Sequence, residues 1–581
     1  MKTYRVFLCL AFHFAFHTSQ AHLYYVSPSG NNANPGTLER PWASPGYGSR
    51  QLSPGDTMVI LGGRYVLSEY DADIITPASG TAGAWITIRG EEGRRPILAG
   101  RDNLLTAVNL NGVQYVRIEN LEITHDDQAA GESLWFREGV EILAAPSAHI
   151  VLRDLYIHHL DEFGMNIQDV EDLHILDCRL EYCGFGALGG PAGEQGGWRN
   201  VTIRGCSLSY SGHYYQGGDG SNRPYDRPDG FGIEPSAGPI LIENTVSEHN
   251  YGDGLDSKSA NTTIRQCIVA NNSCDGVKLW GPNSRIENTL IYGRGDGNPE
   301  PTPWAAIVIA PEEQRNAHFE ILNVTVDDFL GHNYLMYVQY DHPDVPAHVT
   351  IRNTIFSGRG PECPIYVNGA STLIADHNLF YLPQNETLLI HGESTYTCDK
   401  IGSLGEGNLC SDPLFVKPAW GEEGDYHLRE GSPAINTGTT FEAPTIDLEN
   451  RPRDAQPDMG AYEFGSAVGI HLDSEMFGQG ISLFQNYPNP FNPSTTIRFT
   501  LTPSLSRGER GADGKVRVTL KVFDALGKEV ATLVDGELTA GEHSMIWDGI
   551  DDSGKKVVTG LYFCTLKVGN SVKTKKLLIL R

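Results

Sequence analysis

The sequence predicts an all-β chain in which a long solenoid precedes a small β-sandwich. A three-residue motif recurs along the chain: a β-branched residue or Leu, any residue, then Asn or Asp. Repeats whose shortest spacing is about 22 residues are typical of solenoids. Around each motif, apolar and polar residues alternate with a period of two, which predicts strands, and we find no competing amphipathic helical run. The motif occurs as Ile118-Glu119-Asn120, Leu152-Arg153-Asp154, Ile175-Leu176-Asp177, Ile242-Glu243-Asn244, Ile286-Glu287-Asn288, Ile321-Leu322-Asn323, Ile351-Arg352-Asn353 and Ile374-Ala375-Asp376.

The third motif position is expected to form a turn. Asn tolerates the left-handed conformation, and its amide can bond a stacked neighbour. Two coils carry Gly205 or Gln266 at this position instead. The motif count predicts roughly ten coils over residues 84–400. Cysteines 178, 206 and 267 each follow the motif and are expected to fill the interior, and Cys398 with Cys410 is a plausible disulfide.

Shifts in composition divide the chain into five parts. Residues 1–21 carry a basic start and an apolar run, as a secretory signal peptide does. The β-helix with its N-terminal cap is assigned to residues 22–411, and a closing segment that shields the last coil to 412–464. A polar linker at 465–482 leads to alternating strands over 483–581, which predict a small immunoglobulin-like sandwich.

The net charge of −28 limits the partners. A chain this acidic is not expected to bind nucleic acid. A bound divalent cation could reverse the sign locally and allow an acidic polysaccharide to approach. Beyond the signal peptide, no stretch is long and apolar enough to span a membrane. We expect a monomer.

Two parts of the chain resemble known secreted proteins. The run Tyr24-Tyr25-Val26-Ser27-Pro28 and the segment ending Gly62-Gly63-Arg64-Tyr65 resemble the start of secreted right-handed parallel β-helix proteins. Asn489-Pro490-Phe491-Asn492-Pro493, with Gly560-Leu561-Tyr562 and a basic-apolar end, is similar to the C-terminal sorting domain of type IX secretion substrates. The second resemblance implies the type IX secretion machinery as a partner, and release outside the cell or anchoring at its outer surface.

Two segments 22 residues apart suggest a site. Asp253-Gly254-Leu255-Asp256 aligns with Asp275-Gly276-Val277-Lys278, so that Asp256 matches Lys278, and Asp229-Gly230-Phe231 fits the same frame. Successive coils stack about 4.8 Å apart, which would gather carboxylates beside an amine.

These segments resemble the site of family 9 pectate lyases. In that family, an aspartate run and an upstream aspartate bind calcium, and a later Gly-hydrophobic-Lys-Leu segment supplies a lysine base. The resemblance implies Ca²⁺ at Asp229, Asp253 and Asp256, with Lys278 as the catalytic base. The family cleaves pectate-like, uronic-acid-containing polymers by β-elimination.

The remaining candidates surround this cluster. Lys258 is a second candidate base or a substrate-binding residue, Trp280 could stack on a sugar ring, and Arg294 could clamp a substrate carboxylate. We expect Lys278 to be an exposed amine, whose removal would change stability little.

Three alternatives stay open from the sequence. Asp-Gly pairs in a β-helix also serve as turns, in which case Lys278 only pairs with a carboxylate of the neighbouring coil. The same fold could be a non-catalytic surface protein that binds glycans or acts as an adhesin. An inverting glycoside hydrolase would need two suitably spaced carboxylates, but the characteristic segments of polygalacturonases are not found.

Overall fold

The computed structural model describes residues 21–127, 135–217, 227–296, 304–331, 333–361, 363–465, 481–483, 495–501, 515–524, 528–539, 541–568 and 571–579. They belong to two compact units, Met1–Ala467 and Val468–Arg581. Outside the described residues lie the predicted signal peptide apart from Ala21, most of the predicted linker, and the Asn-Pro-Phe-Asn-Pro run.

The first unit is a right-handed parallel β-helix built from three sheets. Sheet 1 has 13 described strands: Leu23–Val26, Thr57–Ile60, Ile86–Gly90, Gln114–Glu119, Ala148–Arg153, Val170–Leu176, Trp198–Arg204, Ile240–Glu243, Thr262–Arg265, Ser284–Glu287, Ala317–Leu322, Ala347–Arg352 and Thr372–Asp376. Sheet 2 also has 13: Arg64–Leu67, Ile97–Gly100, Glu122–His125, Tyr156–Leu160, Arg179–Cys183, Ser207–Ser209, Val246–Glu248, Ile268–Ala270, Leu290–Tyr292, Thr325–Asp328, Ile355–Gly358, Leu379–Tyr381 and Leu409–Cys410.

Sheet 3 forms the face that carries the candidate site. Its 12 described strands are Leu104–Asn109, Phe136–Ile142, Phe163–Ile167, Gly186–Gly189, Asp229–Ser236, Leu255–Ser259, Val277–Leu279, Ala305–Ile309, Tyr334–Val338, Ile365–Val367, Leu389–His391 and the antiparallel Ser394–Tyr396. Two short helices, Pro45–Ser49 and Tyr70–Asp73, and the 3₁₀ turn Ile401–Ser403 lie between strands.

The alternating pattern of the sequence explains the core. Ile88, Ile118 and Leu152 are fully buried and occupy one register column through adjacent strands of sheet 1. Column after column of this kind forms one continuous apolar core along the solenoid. The all-β solenoid that the period-two pattern predicts is therefore confirmed. Cysteines 178, 206 and 267 are buried, and Cys398 is bonded to Cys410.

The third motif position is a left-handed turn, as expected. Positive φ angles occur at Asn120, Asp154, Asp177, Gly205, Asn244, Gln266, Asn288, Asn323 and Asn353. In the last motif, the left-handed turn was expected at Asp376 but lies one residue later, at His377. Asp376 is still in its strand, paired with Arg352, and His377 takes the positive φ of 53°. The difference arises because Ile374, the first residue of the predicted motif, is exposed, whereas Ala375 is buried and pairs with Ile351.

The solenoid starts earlier than residue 84. The strand Leu23–Val26 already pairs in parallel with Thr57–Ile60, so the N-terminal part of the region assigned to residues 22–411 contributes coils of its own. The repeat is hidden there because the loop that holds Trp42 and Pro45–Ser49 separates the two strands. Within residues 84–400, sheet 1 contributes 11 described strands, in agreement with the roughly ten coils that the motifs predict.

The closing segment lies along the flank of the β-helix. It contains the strands Phe415–Lys417 and Asp425–Leu428 and packs an apolar cluster against residues that include Leu290 and Ile355. Several motif side chains bond to its backbone. The contacts are Gln266 with the Asp447 carbonyl at 3.2 Å, Asn288 with Ile446 at 2.7 Å, Asn323 with Asp458 at 3.1 Å and Asn353 with Thr439 at 2.8 Å. We expected this segment to shield the last coil, but these contacts spread over several coils.

The second unit is antiparallel throughout its described residues and has its own apolar core. One sheet contains Ile481–Leu483, Thr495–Leu501 and Gly541–Trp547. The other contains Glu529–Thr539, Lys515–Asp524, Gly560–Val568 and Ser571–Ile579. Two antiparallel sheets agree with the immunoglobulin-like sandwich that the sequence predicts. No helix in the described part of the chain is long and apolar enough to cross a membrane.

Deleting residues 483–581 should leave the β-helix folded. Each unit buries an apolar core of its own, and a domain with its own core can fold alone. We expect the melting temperature of the β-helix to change by less than about 2 °C, measured by calorimetry on the truncated and full-length proteins. A larger decrease would mean that the tail contributes to the stability of the solenoid.

Candidate functional site

Two columns of side chains on sheet 3 form the site. Asp256 pairs with Lys278 on the next strand, and Leu255 pairs with Val277. Asp253 lies two residues before Leu255, and Asp275 lies two residues before Val277. The two aspartates therefore occupy the same position in neighbouring coils. This register is the one that the repeat predicts.

The aspartates hold successive coils together. Asp229 Oδ1 accepts a hydrogen bond from the Asp253 backbone N–H at 2.7 Å, and Asp253 Oδ1 accepts one from Asp275 at 2.8 Å. Asp275 Oδ1 in turn accepts the Ala305 N–H at 2.8 Å. The sequence repeats Asp at this position partly for this structural reason, as the turn hypothesis proposed.

The glycine that follows each aspartate is required by space. A Cβ at position 254 would lie 2.7 Å from the Gly276 carbonyl oxygen, and one at position 276 would lie 2.5 Å from the Ala306 carbonyl oxygen. The repeated Asp-Gly pair therefore allows close stacking of coils and places one buried carboxylate over the next.

Three carboxylates converge beside this ladder. Oxygens of Asp229, Asp253 and Asp256 all lie within 4.8 Å of one another. Asp229 uses Oδ1 for the backbone bond, and Asp256 Oδ1 accepts from the Trp280 indole N–H at 2.7 Å. The described residues donate no hydrogen bond to the other oxygen of either side chain, so each can serve a cation.

Lys278 lies inside the cluster. Its Nζ is 2.7 Å from Asp253 Oδ2 and 3.0 Å from Asp275 Oδ2, and only 2% of the residue is exposed. The ring of Trp304 covers the ammonium, with its centroid 4.5 Å away. The expectation of an exposed amine is wrong, because Lys278 folds back onto the aspartates rather than extending into solvent.

Burial and charge determine the proton affinities here. Burial raises the pKa of Asp229 well above its usual range, and the nearby Asp253 and Asp256 raise it further. Burial likewise raises the pKa of Asp256, to about 6. For Lys278, burial lowers the pKa, but the carboxylates of Asp253 and Asp275 outweigh it and raise that pKa well above its ordinary value. Lys278 is therefore protonated at neutral pH in this arrangement.

Of the other predicted site residues, Trp280 contacts the carboxylate cluster, whereas Lys258 and Arg294 pair with other carboxylates. Trp280 is joined to the cluster through Asp256. Lys258, on the same strand as Asp256, pairs with Glu234 at 2.8 Å. Arg294 is not available to a substrate, since it is 2% exposed and bonded to Asp328 at 2.6 Å. Its prediction as a clamp relied on sequence proximity, which does not report that its side chain is buried.

Sequence reasoning gave no site role to Arg227, and it considered Trp304 only as a ring that could stack on a sugar and Asp275 only as the carboxylate beside Lys278. The repeat places Asp275 over Asp253, and in the structure both carboxylates pair with Lys278. Trp304 and Arg227 stack on each other at 4.9 Å, yet neither carries a repeat signature. Both lie at the edges of insertions, where the spacing of the coils gives no register.

A further buried carboxyl lies on sheet 3, nearer the N-terminus. Glu138 is 3% exposed and accepts a hydrogen bond from the Asn166 amide at 2.6 Å. Burial raises its pKa to about 8. The folded protein thus keeps a proton on Glu138 that the unfolded chain releases above about pH 4.5.

We expect Glu138→Gln to flatten the pH dependence of stability. Because the folded-state pKa is the higher one, Glu138 makes the wild type less stable as the pH rises from about 4.5 to 8. The loss should reach as much as about 4 kcal/mol, which the neutral amide avoids. Urea unfolding at pH 5 and pH 8 measures it, with the exposed Glu171→Gln as control. Equal slopes for Glu138→Gln and wild type would contradict the assignment.

The comparisons with known proteins agree with this architecture. Residues 24–287 match the family model described as Pel9A-like, right handed beta helix region. Residues 194–399 match the model for a right handed beta helix region, and residues 498–571 match the FlgD Ig-like domain. No curated protein matches the chain.

Three solved structures are similar to this chain at low identity. Pectate lyase Pel9A is 15% identical over 77% of this chain and 97% of its own, with a TM-score of 0.43. XylC in complex with xylose is 10% identical over 76% and 98%, with a TM-score of 0.47. A rhamnogalacturonan lyase is 15% identical over 77% and 97%, with a TM-score of 0.33.

Proposed function

We propose that this protein is a secreted polysaccharide lyase that cleaves a uronic-acid-containing polymer by β-elimination. One observation carries the proposal: three carboxylates within 4.8 Å of one another, next to a lysine on the adjacent strand. The match of residues 24–287 to the Pel9A-like family model supports a polysaccharide-active or glycan-binding role more broadly.

Asp229, Asp253 and Asp256 suit a calcium ion. Calcium takes six to eight oxygen ligands, several of them carboxylates, and the three side chains present oxygens on one side. Their mutual repulsion, which adds to the effect of burial in raising the pKa of Asp229, would be relieved by a bound cation. When bound, the ion would withdraw charge from a substrate carboxylate, so that the proton α to it becomes acidic.

Lys278 is the proposed proton acceptor. In the elimination, the α C–H bond breaks and a C=C bond forms with its electrons. The glycosidic oxygen leaves with the electrons of its bond to carbon and takes a proton from water. Lys278 must first be neutral, and Asp253 and Asp275 oppose this. We therefore expect turnover to rise with pH through the neutral and alkaline range, because a larger fraction of the lysine is then unprotonated.

A non-catalytic glycan-binding protein is the second candidate. The observation in its favour is the state of Lys278, which is buried and held protonated between two carboxylates. An ammonium in that position stabilises the cluster of carboxylates, and this structural role would be enough to explain the lysine without catalysis. The same face could then bind a polysaccharide without cleaving it.

We also propose export by the type IX machinery, with the signal peptide removed and the protein released or anchored outside the cell as a monomer. The support is the resemblance of the tail and the basic, apolar start of the sequence. Deleting residues 483–581 should block export in the native host. Normal secretion of the truncated protein would contradict the sorting role.

A lyase assay tests the catalytic proposal. The full-length protein is incubated with a panel of uronic-acid polymers, with 1 mM calcium or with a chelator, and the unsaturated product is followed by its absorbance. We expect product only with calcium. Saturable binding of a polymer without product would favour the glycan-binding protein, and product formation in chelator would exclude the calcium-assisted route.

A further inference from the structure

An aromatic cavity adjoins the carboxylate cluster on sheet 3. Its volume is about 630 Å³, and Trp304, Tyr334, Tyr337 and Tyr340 line it. The register continues from Lys278 through Val308 to Tyr337, so the cavity begins two strands beyond the lysine on the same face.

The rings form an open cage. Tyr334 lies 5.5 Å from Tyr340 and 5.5 Å from Tyr366 between ring centroids, and Tyr340 lies 5.4 Å from Tyr366. Tyr340 is half exposed, and Trp304 is 36% exposed. Clustered aromatic faces that remain open to solvent are suited to the apolar C–H face of a sugar ring. The nearby tyrosine hydroxyls and the Asn385 side chain are suited to its hydroxyl groups.

Trp304 joins the cavity to the cluster. One face of the indole covers the Lys278 ammonium at 4.5 Å, and the ring lies 6.4 Å from Tyr337. A polysaccharide chain whose carboxylate reaches the cluster can therefore place a neighbouring sugar among the tyrosines.

Charge decides which sugar fits. Asp341 is the one charged side chain among the described residues that line the cavity. A second uronate would meet that carboxylate and, among the described residues that line the cavity, no cation. Lys278 and Arg227 stack on Trp304 but are not part of the lining, and Lys278 is already paired with Asp253. A neutral sugar would meet aromatic faces and hydrogen-bonding groups without electrostatic cost.

We propose that this cavity binds a neutral sugar residue, so that the preferred polymer combines uronate with neutral sugars rather than being a uronate homopolymer. The inference deepens the proposed function and rests on it for the uronate at the cluster. The tyrosine cage itself makes a claim about binding that does not depend on turnover.

Calorimetric titration tests the cavity. The full-length Lys278→Met variant, which lacks the proposed proton acceptor, is titrated with calcium present, with an alternating galacturonate–rhamnose oligosaccharide and with an oligogalacturonate of equal length. We expect the alternating probe to bind at least about tenfold more tightly, as one favourable ring contact allows. Tyr340→Ala should remove this preference, whereas Tyr340→Phe and the distant, exposed Phe441→Ala should keep it.

The outcomes separate the two proposals. A preference that depends on Tyr340 supports the cavity even if no polymer is cleaved, in which case only the lyase proposal fails. Equal affinity for the two probes, an unchanged preference in Tyr340→Ala, or no binding of either probe overturns the neutral-sugar cavity. In those cases, calcium-dependent cleavage of a uronate homopolymer would leave the lyase proposal standing.

Discussion

Replacing Lys278 with methionine should lower the free energy of unfolding by about 3–5 kcal/mol, the usual cost of removing one partner from a buried ion pair. The variant leaves Asp253 and Asp275 buried without the ammonium that lies 2.7 Å and 3.0 Å from them. Methionine retains most of the aliphatic volume, so little of the loss comes from packing. Urea denaturation of wild type and variant in chelator measures the difference.

Calcium should restore part of the lost stability in that variant. Without the ammonium, the carboxylates can take a divalent ion more easily, and a ligand that binds only the folded state stabilises it. Lys258→Met is the matched control, because Lys258 lies on the same face but pairs with the partly exposed Glu234. A loss below about 1 kcal/mol for Lys278→Met would show that the ion pair is not the main counter-charge of the cluster.

Replacing Asp256 with asparagine should lower turnover by about 10²-fold, the usual effect of losing one electrostatic contact to the reacting centre. The half-saturating calcium concentration should rise at least about tenfold, because one charged ligand is lost. Asparagine keeps the size of the side chain and an oxygen that can accept the Trp280 bond. Initial rates against calcium concentration on the best polymer give both quantities.

The stability of the Asp256 variant separates catalysis from folding. The pKa of Asp256 is raised to about 6, so the folded protein disfavours its charge and the neutral amide should not destabilise it. Glu234→Gln removes a charge from the same face and should leave turnover unchanged. Unchanged turnover and calcium dependence for Asp256→Asn would remove this residue from the proposed site.

The repeat made much of the fold predictable. Period-two alternation and the turn position gave the sheets, and one register alignment placed Asp253 over Asp275 and Asp256 beside Lys278. Side-chain direction was not predictable in the same way. Whether Lys278 extends into solvent or folds onto Asp253 depends on local charge and on the cover from Trp304, which belongs to another coil.

Insertions hid the rest of the architecture. The loop between Val26 and Thr57 concealed the first coils, because the distance between repeats there exceeds one coil. Arg294 shows that a regular repeat also does not predict which partner a side chain finds. It follows a regular strand, yet its pairing with Asp328 depends on a contact 34 residues away.

The flanking segment changes how the solenoid should unfold. In a plain repeat array each coil contacts only its neighbours, so coils can be lost one at a time from an end. Here Gln266, Asn288, Asn323 and Asn353 on separate coils are all bonded to the single stretch 439–458. Unfolding of any one of these coils breaks its bond to the shared stretch and so loosens the support that the stretch gives to the other three coils. The C-terminal half of the β-helix should therefore melt as one cooperative block, while the N-terminal coils retain the stepwise behaviour of a one-dimensional chain.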